Sequence, residues 1–145
     1  MCISKALYVA INNNYSICTV KYKKHIFRTL VADTFLKQAV GLMYRPHLKR
    51  NEAMLFTFRR GGIYPIWMLN MRFPIDIIWL GDNFQAIDIA HSVKPCSSIL
   101  RCKTYSNKRN ARYVLELCAG ISNRFGIRVG SSLKVNNPEG RQNER

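Results

Sequence analysis

The sequence predicts an α+β domain, mainly β: a compact single-domain antiparallel sheet or barrel-like core carrying two short helices. Three observations lead there. Apolar residues recur in short runs rich in β-branched and aromatic side chains, which suit a pleated surface. Turn sequences built on Gly, Asn and Asp punctuate those runs. The length of 145 residues suits one domain, and no repeat or Pro/Gly-rich linker divides it. Residues 25–135 are assigned to the single globular domain and 1–24 to an N-terminal extension that can hold an early strand. Residues 136–145 have no apolar anchor and read as a disordered basic tail.

The elements follow in order. Residues 25–32 (HIFRTLVA) read as a strand. Asp33-Thr34 then caps a helix over residues 35–42 by offering side-chain oxygens to unpaired N–H groups, with Phe35, Ala39 and Leu42 on its apolar face. Gly41 and Pro46 end it. Residues 53–58 (AMLFTF) form a buried strand, and Arg59-Arg60-Gly61-Gly62 turns the chain. Residues 63–70 and 76–80 read as two central strands, apolar on both faces. After the turn Gly81-Asp82-Asn83, residues 84–90 alternate with period two, placing Gln85, Ile87 and Ile89 on one face. From His91 to Ala111 the periodicity is lost and a long loop is expected. Residues 113–118 resume a strand, residues 121–125 form a short helix closed by Gly126, and residues 129–135 form a last hairpin around Gly130.

Charge is the unusual bulk property. Twenty-three Lys and Arg against eight Asp and Glu give a formal net charge of +15, a balance that attracts polyanions and makes nucleic acid a candidate partner. Arg101, Lys103, Tyr105, Lys108 and Arg109 carry that reading best, mixing cations with one stacking aromatic; the same stretch also reads as a solvated loop. Cys2, Cys18, Cys96, Cys102 and Cys118 are odd in number and lack CxxC spacing, so no metal site follows. His91, Cys96 and Cys102 still want a fourth ligand, and spacing does not decide whether Cys96 and Cys102 are free, paired or metal-bound. No P-loop, dinucleotide fingerprint or nucleophile elbow occurs, so no cofactor and no catalytic residue is assigned. No run approaches the roughly 20 apolar residues of a membrane span, and the N-terminus lacks the marks of a signal peptide, which points to the cytoplasm.

The segment Tyr64 to Leu80 sets one amide, Asn70, and one carboxylate, Asp76, in mostly apolar surroundings. If strands flank the intervening Met71-Arg72-Phe73-Pro74-Ile75, the two polar groups stand at one end of the sheet and face each other, above an apolar floor of Trp67 and Met68. Two readings stand: a ligand pocket, or side chains that hydrogen-bond the turn. Glu116 shares a strand face with Val114 and Cys118, where a buried carboxylate calls for a guanidinium; Arg45 and Arg112 are the candidates.

Six motifs together resemble, in order and spacing, the family catalogued as domain of unknown function 192. They are Gly41-Leu42-Met43-Tyr44-Arg45, Met54-Leu55-Phe56, Trp67-Met68-Leu69-Asn70, Pro74-Ile75-Asp76-Ile77, Tyr113-Val114-Leu115-Glu116 and Gly126-Ile127-Arg128-Val129-Gly130. The resemblance implies a compact, mostly β domain with small helices and no known reaction or cofactor. It marks Arg45, Trp67, Met68, Asn70, Pro74, Asp76 and Glu116 as signature positions. Leu69 stands where many relatives carry Lys, and Cys96, Cys102 and Tyr105 are similar to the family's cysteine-bearing loop.

The leading expectation is a small non-catalytic binding or accessory domain for an unidentified small molecule or protein, with its pocket near Asn70 and Asp76. A nucleic-acid-binding protein is the alternative, and an enzyme using Asp76 and Glu116 is the third reading.

Overall fold

The computed structural model describes residues 3–139. It is mainly β, with three α-helices among the described residues: α1 (Lys5–Asn12), α2 (Phe35–Val40) and α3 (Ile121–Phe125). The strands are β1 (Ser16–Tyr22), β2 (His25–Ala32), β3 (Glu52–Gly62), β4 (Ile66–Trp67), β5 (Ile75–Leu80), β6 (Ala86–Val93), β7 (Thr104–Tyr105), β8 (Ala111–Cys118) and β9 (Lys134–Asn136). Seven of them form one sheet in the order β6-β5-β8-β3-β2-β1-β9, while β4 and β7 pair as a separate ribbon. The sheet is open rather than closed into a barrel. It is mixed, not purely antiparallel, because β2 and β3 run parallel across the crossover that contains α2.

The opening segment is a helix, not a strand. The Ser4 side chain caps it by accepting from the Leu7 N–H at 3.2 Å, and only Ile11 is buried. β1, placed in the expected N-terminal extension, lies inside the sheet and pairs with β2 over its whole length. The expected final hairpin does not form: β9 pairs with β1, and the turn before it bonds the start of β6, Gly130 N–H to Ala86 O and Ala86 N–H to Ser131 O. Asn136, assigned to the tail, belongs to β9, whereas residues 140–145 of that tail lie outside the described residues. α2 ends at Val40, two residues early, because Gly41 takes φ +48° and breaks the helix. Phe35, expected on the buried face of α2, is 82% exposed.

Register defines two cores. Ala53, Leu55, Ile78, Leu115 and Leu117 point to one face, covered by Ile121 of α3, Ile127 and Leu133. Met54, Phe56, Ile75, Ile77, Trp79 and Val114 point to the other, covered by Leu42 and Met68. Burial of each such side chain contributes about 1.5–3 kcal/mol. Ile87 and Ile89 do not share a face as alternation predicted. An irregularity between Trp79↔Asp88 and Leu80↔Ala86 inserts Ile87 as an extra residue, so Ile89 packs in the first core and Ile87 in the second.

Candidate functional site

Asn70 and Asp76 do not meet. The stretch expected as one long strand is strand only at β4, and β4 pairs with β7 rather than β5, so the two residues are not across from each other. Asn70 takes a left-handed conformation, φ +60°, which Asn tolerates; its carbonyl accepts from Tyr44 N–H at 2.9 Å and its amide approaches Met43 Sδ at 3.8 Å. Asp76 is wholly buried and saturated. Its Oδ1 accepts from the Ser92 N–H at 2.8 Å and the Gly120 N–H at 3.1 Å; its Oδ2 accepts from the Ser122 N–H at 2.9 Å and the Ser122 hydroxyl at 2.6 Å. Ser122 Oγ lies 3.0 Å from His91 Nδ1; since its one proton goes to Asp76, that ring nitrogen is the donor. The carboxylate thus ties β6 and the start of α3 to β5.

Glu116 has the opposite character. Its register partner is Ile77, while Asp76 opposes Leu117, so Asp76 and Glu116 stand on opposite faces of the sheet and cannot share one catalytic cavity. Neither expected guanidinium reaches Glu116. Arg45 Nη2 donates to Asn12 Oδ1 at 2.6 Å, and its guanidinium carbon lies 5.7 Å from the centre of the Tyr15 ring. Its Nε is buried without a partner. Arg112 donates through Nε to the Phe58 carbonyl and pairs with Asp82 at 3.4 Å. Among the described residues no hydrogen bond or ion pair reaches the Glu116 carboxyl, which is 4% exposed. Burial alone pushes its pKa up to about 8, because the charged form loses its hydration without compensation.

Glu116 borders a cavity of about 270 Å³ between the sheet, α2 and β4. The walls are mostly apolar: Val40, Leu42 and Met43 in and just after α2, Phe56 and Phe58 from β3, then Tyr64, Ile66, Trp67, Leu69 and Met71, with the Gln38 side chain of α2 as a polar neighbour. Phe58 and Tyr64 stack with ring centres 3.6 Å apart, and the Tyr64 carbonyl is fixed by Trp79 Nε1–H at 2.9 Å. Phe35 and Trp67, both exposed, lie at the rim. Gly41 approaches the same wall closely; a Cβ there would sit 3.3 Å from Phe56 Cζ. The arrangement is an apolar recess with one neutral carboxyl as its single acidic group, able to donate one O–H hydrogen bond at neutral pH.

Of the sequence candidates, the cavity gathers Trp67 and Glu116. Arg45, Asn70, Asp76 and Arg112 sit as described above, and Pro74 is exposed just before β5. Met68 is buried and borders a second recess of about 300 Å³ with Arg101, Lys103 and Tyr105. Lys108 offers its N–H to Asp88 at 3.1 Å, and Arg109 donates to the Ile87 carbonyl at 3.2 Å. Cys96 and Cys102 form a disulfide, with Cα atoms 5.2 Å apart. The α2-side walls were not read as a cavity because their apolar spacing reads as ordinary core, although Gly41, Leu42 and Met43 stand in one of the resembling motifs and Phe56 in another.

Residues 17–135 match the family DUF192, described as Uncharacterized ACR. A UPF0127 protein of Pyrococcus horikoshii is 30% identical over 109 residues, 72% of this chain and 84% of its own length. A UPF0127 protein of Pyrococcus furiosus is 30% identical over 110 residues, with the same shares of 72% and 84%. Two crystal structures are similar. A protein of unknown function from Novosphingobium aromaticivorans superposes with a TM-score of 0.73 at 29% identity, covering 83% of this chain and 84% of its own. A Sinorhizobium meliloti protein proposed as a transcription regulator gives a TM-score of 0.77 at 25% identity, covering 88% and 97%. With most of its length matched, this chain belongs to the DUF192 family of uncharacterised proteins.

Proposed function

We propose that the domain is a small non-catalytic binding module whose ligand enters the cavity beside Glu116. The observation that carries this reading is a carboxyl without a partner among the described residues, bordering a mostly apolar recess of about 270 Å³. The ligand is a small, largely apolar molecule or side chain bearing a carbonyl. Its apolar body packs on the aromatic wall, and its oxygen accepts the O–H of neutral Glu116.

Methionine methyl groups supply the test, because Met43 and Met71 border the cavity while Met54 is buried outside its lining. Titration of methyl-labelled protein with cyclohexanone and acetophenone is expected to shift the Met43 and Met71 signals and leave Met54 in place. Glu116→Leu is expected to weaken acetophenone by about tenfold, the loss of one hydrogen bond of roughly 1.4 kcal/mol. No shift at Met43 and Met71 with either compound overturns the reading.

The Cys96–Cys102 disulfide bears on location. Such bonds persist in oxidising surroundings and are rare among cytosolic proteins, which counts against the cytoplasmic placement drawn from the N-terminal sequence. No described helix is long and apolar enough to cross a membrane.

A further inference from the structure

The segment singled out for its cations has a second character that the folded chain exposes. Between β6 and β7 the Cys96–Cys102 disulfide closes a small loop, and the 3-10 turn Ile99–Arg101 lies inside it. Leu100 is 93% exposed and Ile99 is 58% exposed, two adjacent aliphatic side chains aimed at solvent. Beside them Lys94, Arg101 and Lys103 border the recess of about 300 Å³, whose lining holds no carboxylate. From Ile89 to Leu115 the chain carries six Lys and Arg and no Asp or Glu. The nearest flanking acid engaged with this stretch, Asp88, accepts from the Lys108 N–H, away from the loop tip.

We propose that the disulfide-closed loop docks on an anionic lipid surface, with Ile99 and Leu100 entering the interface and Lys94, Arg101 and Lys103 meeting the headgroup phosphates. An aliphatic wedge ringed by cations gains from both parts of such a surface: apolar area leaves water while the cations meet negative charge. The disulfide holds the wedge in its docking geometry beforehand, so little ordering is required on contact. Nucleic acid fits the same cations less well. The segment's aromatic, Tyr105, is half-buried, is strand-paired with Ile66 and has Lys103 Nζ 5.2 Å from its ring centre. The groups that protrude most are aliphatic, and these give a base nothing to stack on.

The test is flotation of the full oxidised chain with vesicles of pure phosphatidylcholine and of phosphatidylcholine mixed with phosphatidylglycerol. Binding is expected to the mixed vesicles only. Ile99→Ser with Leu100→Ser keeps every charge and is expected to lower that partitioning by about tenfold or more. Lys94→Gln, Arg101→Gln and Lys103→Gln together are expected to abolish the preference for phosphatidylglycerol. All five positions are exposed, so thermal midpoints of the variants should match the parent and exclude misfolding. Absence of flotation, equal binding to both vesicle types, or undiminished binding by the double serine variant overturns the proposal. Retention on RNA that falls in the triple glutamine variant, without vesicle binding by the parent, would assign the loop to nucleic acid instead.

Discussion

Asp76→Ala removes the acceptor for four donors at once. Three are main-chain N–H groups, of Ser92, Gly120 and Ser122, and the fourth is the Ser122 hydroxyl, at distances from 2.6 to 3.1 Å. A hydrogen bond to a charged acceptor contributes about 1.5–3 kcal/mol, and an orphaned donor costs about 1–3 kcal/mol. These terms overlap because the four donors share one carboxylate, and the two connecting segments can relax towards water. The expected loss is therefore about 3–5 kcal/mol rather than the sum, the range of a broken buried network. Against a typical stability of about 5–15 kcal/mol this is a large fraction. Urea unfolding should show a lowered midpoint with unchanged slope, and the thermal midpoint should fall by on the order of 10 °C. Asp76→Asn preserves the shape but turns an NH2 towards main-chain donors, so it should recover only part of the loss. A change within about 1 kcal/mol for Asp76→Ala would refute the assignment, since a carboxylate of so little structural weight would have to serve a ligand.

Glu116 makes stability depend on pH. Its pKa rises on folding from 4.5 to about 8, so the native carboxyl keeps a proton that the unfolded chain has released. Stability should fall as pH rises between those values and level off above, by at most roughly 5 kcal/mol. Glu116→Gln should flatten that slope in thermal unfolding recorded from pH 5 to 8.5; an equal slope in both proteins would place the titration elsewhere. Reduction of the disulfide, or Cys96→Ser with Cys102→Ser, opens a loop of sequence separation 6 and should lower stability by about 2 kcal/mol. Hydrogen exchange should then speed up at β7, which directly follows that loop, and at its partner β4, and not in β5 or β8.

The sheet was legible where short apolar runs coincide with strands. Residues 25–32 and 121–125 have the predicted bounds, and β8 extends the predicted run by Ala111 and Arg112. Local pattern failed where two signals share a spacing. Leu7, Val9 and Ile11 alternate like a strand, yet Ser4 caps a helix in which only Ile11 is buried. Residues 63–70 are apolar enough for a strand, but Pro65 interrupts the run; Ile66 and Trp67 pair with β7, and Leu69 makes a single bridge to Cys96. Pairing partners were beyond local pattern altogether: the parallel β2–β3 contact and the β1–β9 contact join segments far apart in sequence. The same limit applied to the site. Glu116 was picked out because a carboxylate among Val114 and Cys118 is anomalous in any fold, whereas the cavity walls come from α2 and β4, whose juxtaposition depends on the crossover.

The two anomalous acids illustrate how the number of partners separates structure from function. Asp76 has every lone-pair direction filled, so any ligand would first have to break a network worth several kcal/mol. Glu116 has no partner among the described residues, and its burial is a net loss that an aliphatic residue of similar size would avoid. Glu116→Leu should accordingly be more stable than the parent at pH 7, by on the order of 3 kcal/mol, the part of the proton linkage accumulated between pH 4.5 and 7. The same substitution removes the donor that a carbonyl ligand would meet. Stability and affinity then move in opposite directions from a single change, as expected where a site keeps a group that the fold alone would discard. A Glu116→Leu protein that lost stability would mean that the carboxyl is compensated within the fold. The cavity would then lose its acidic anchor, and carbonyl recognition by Glu116 would fail with it.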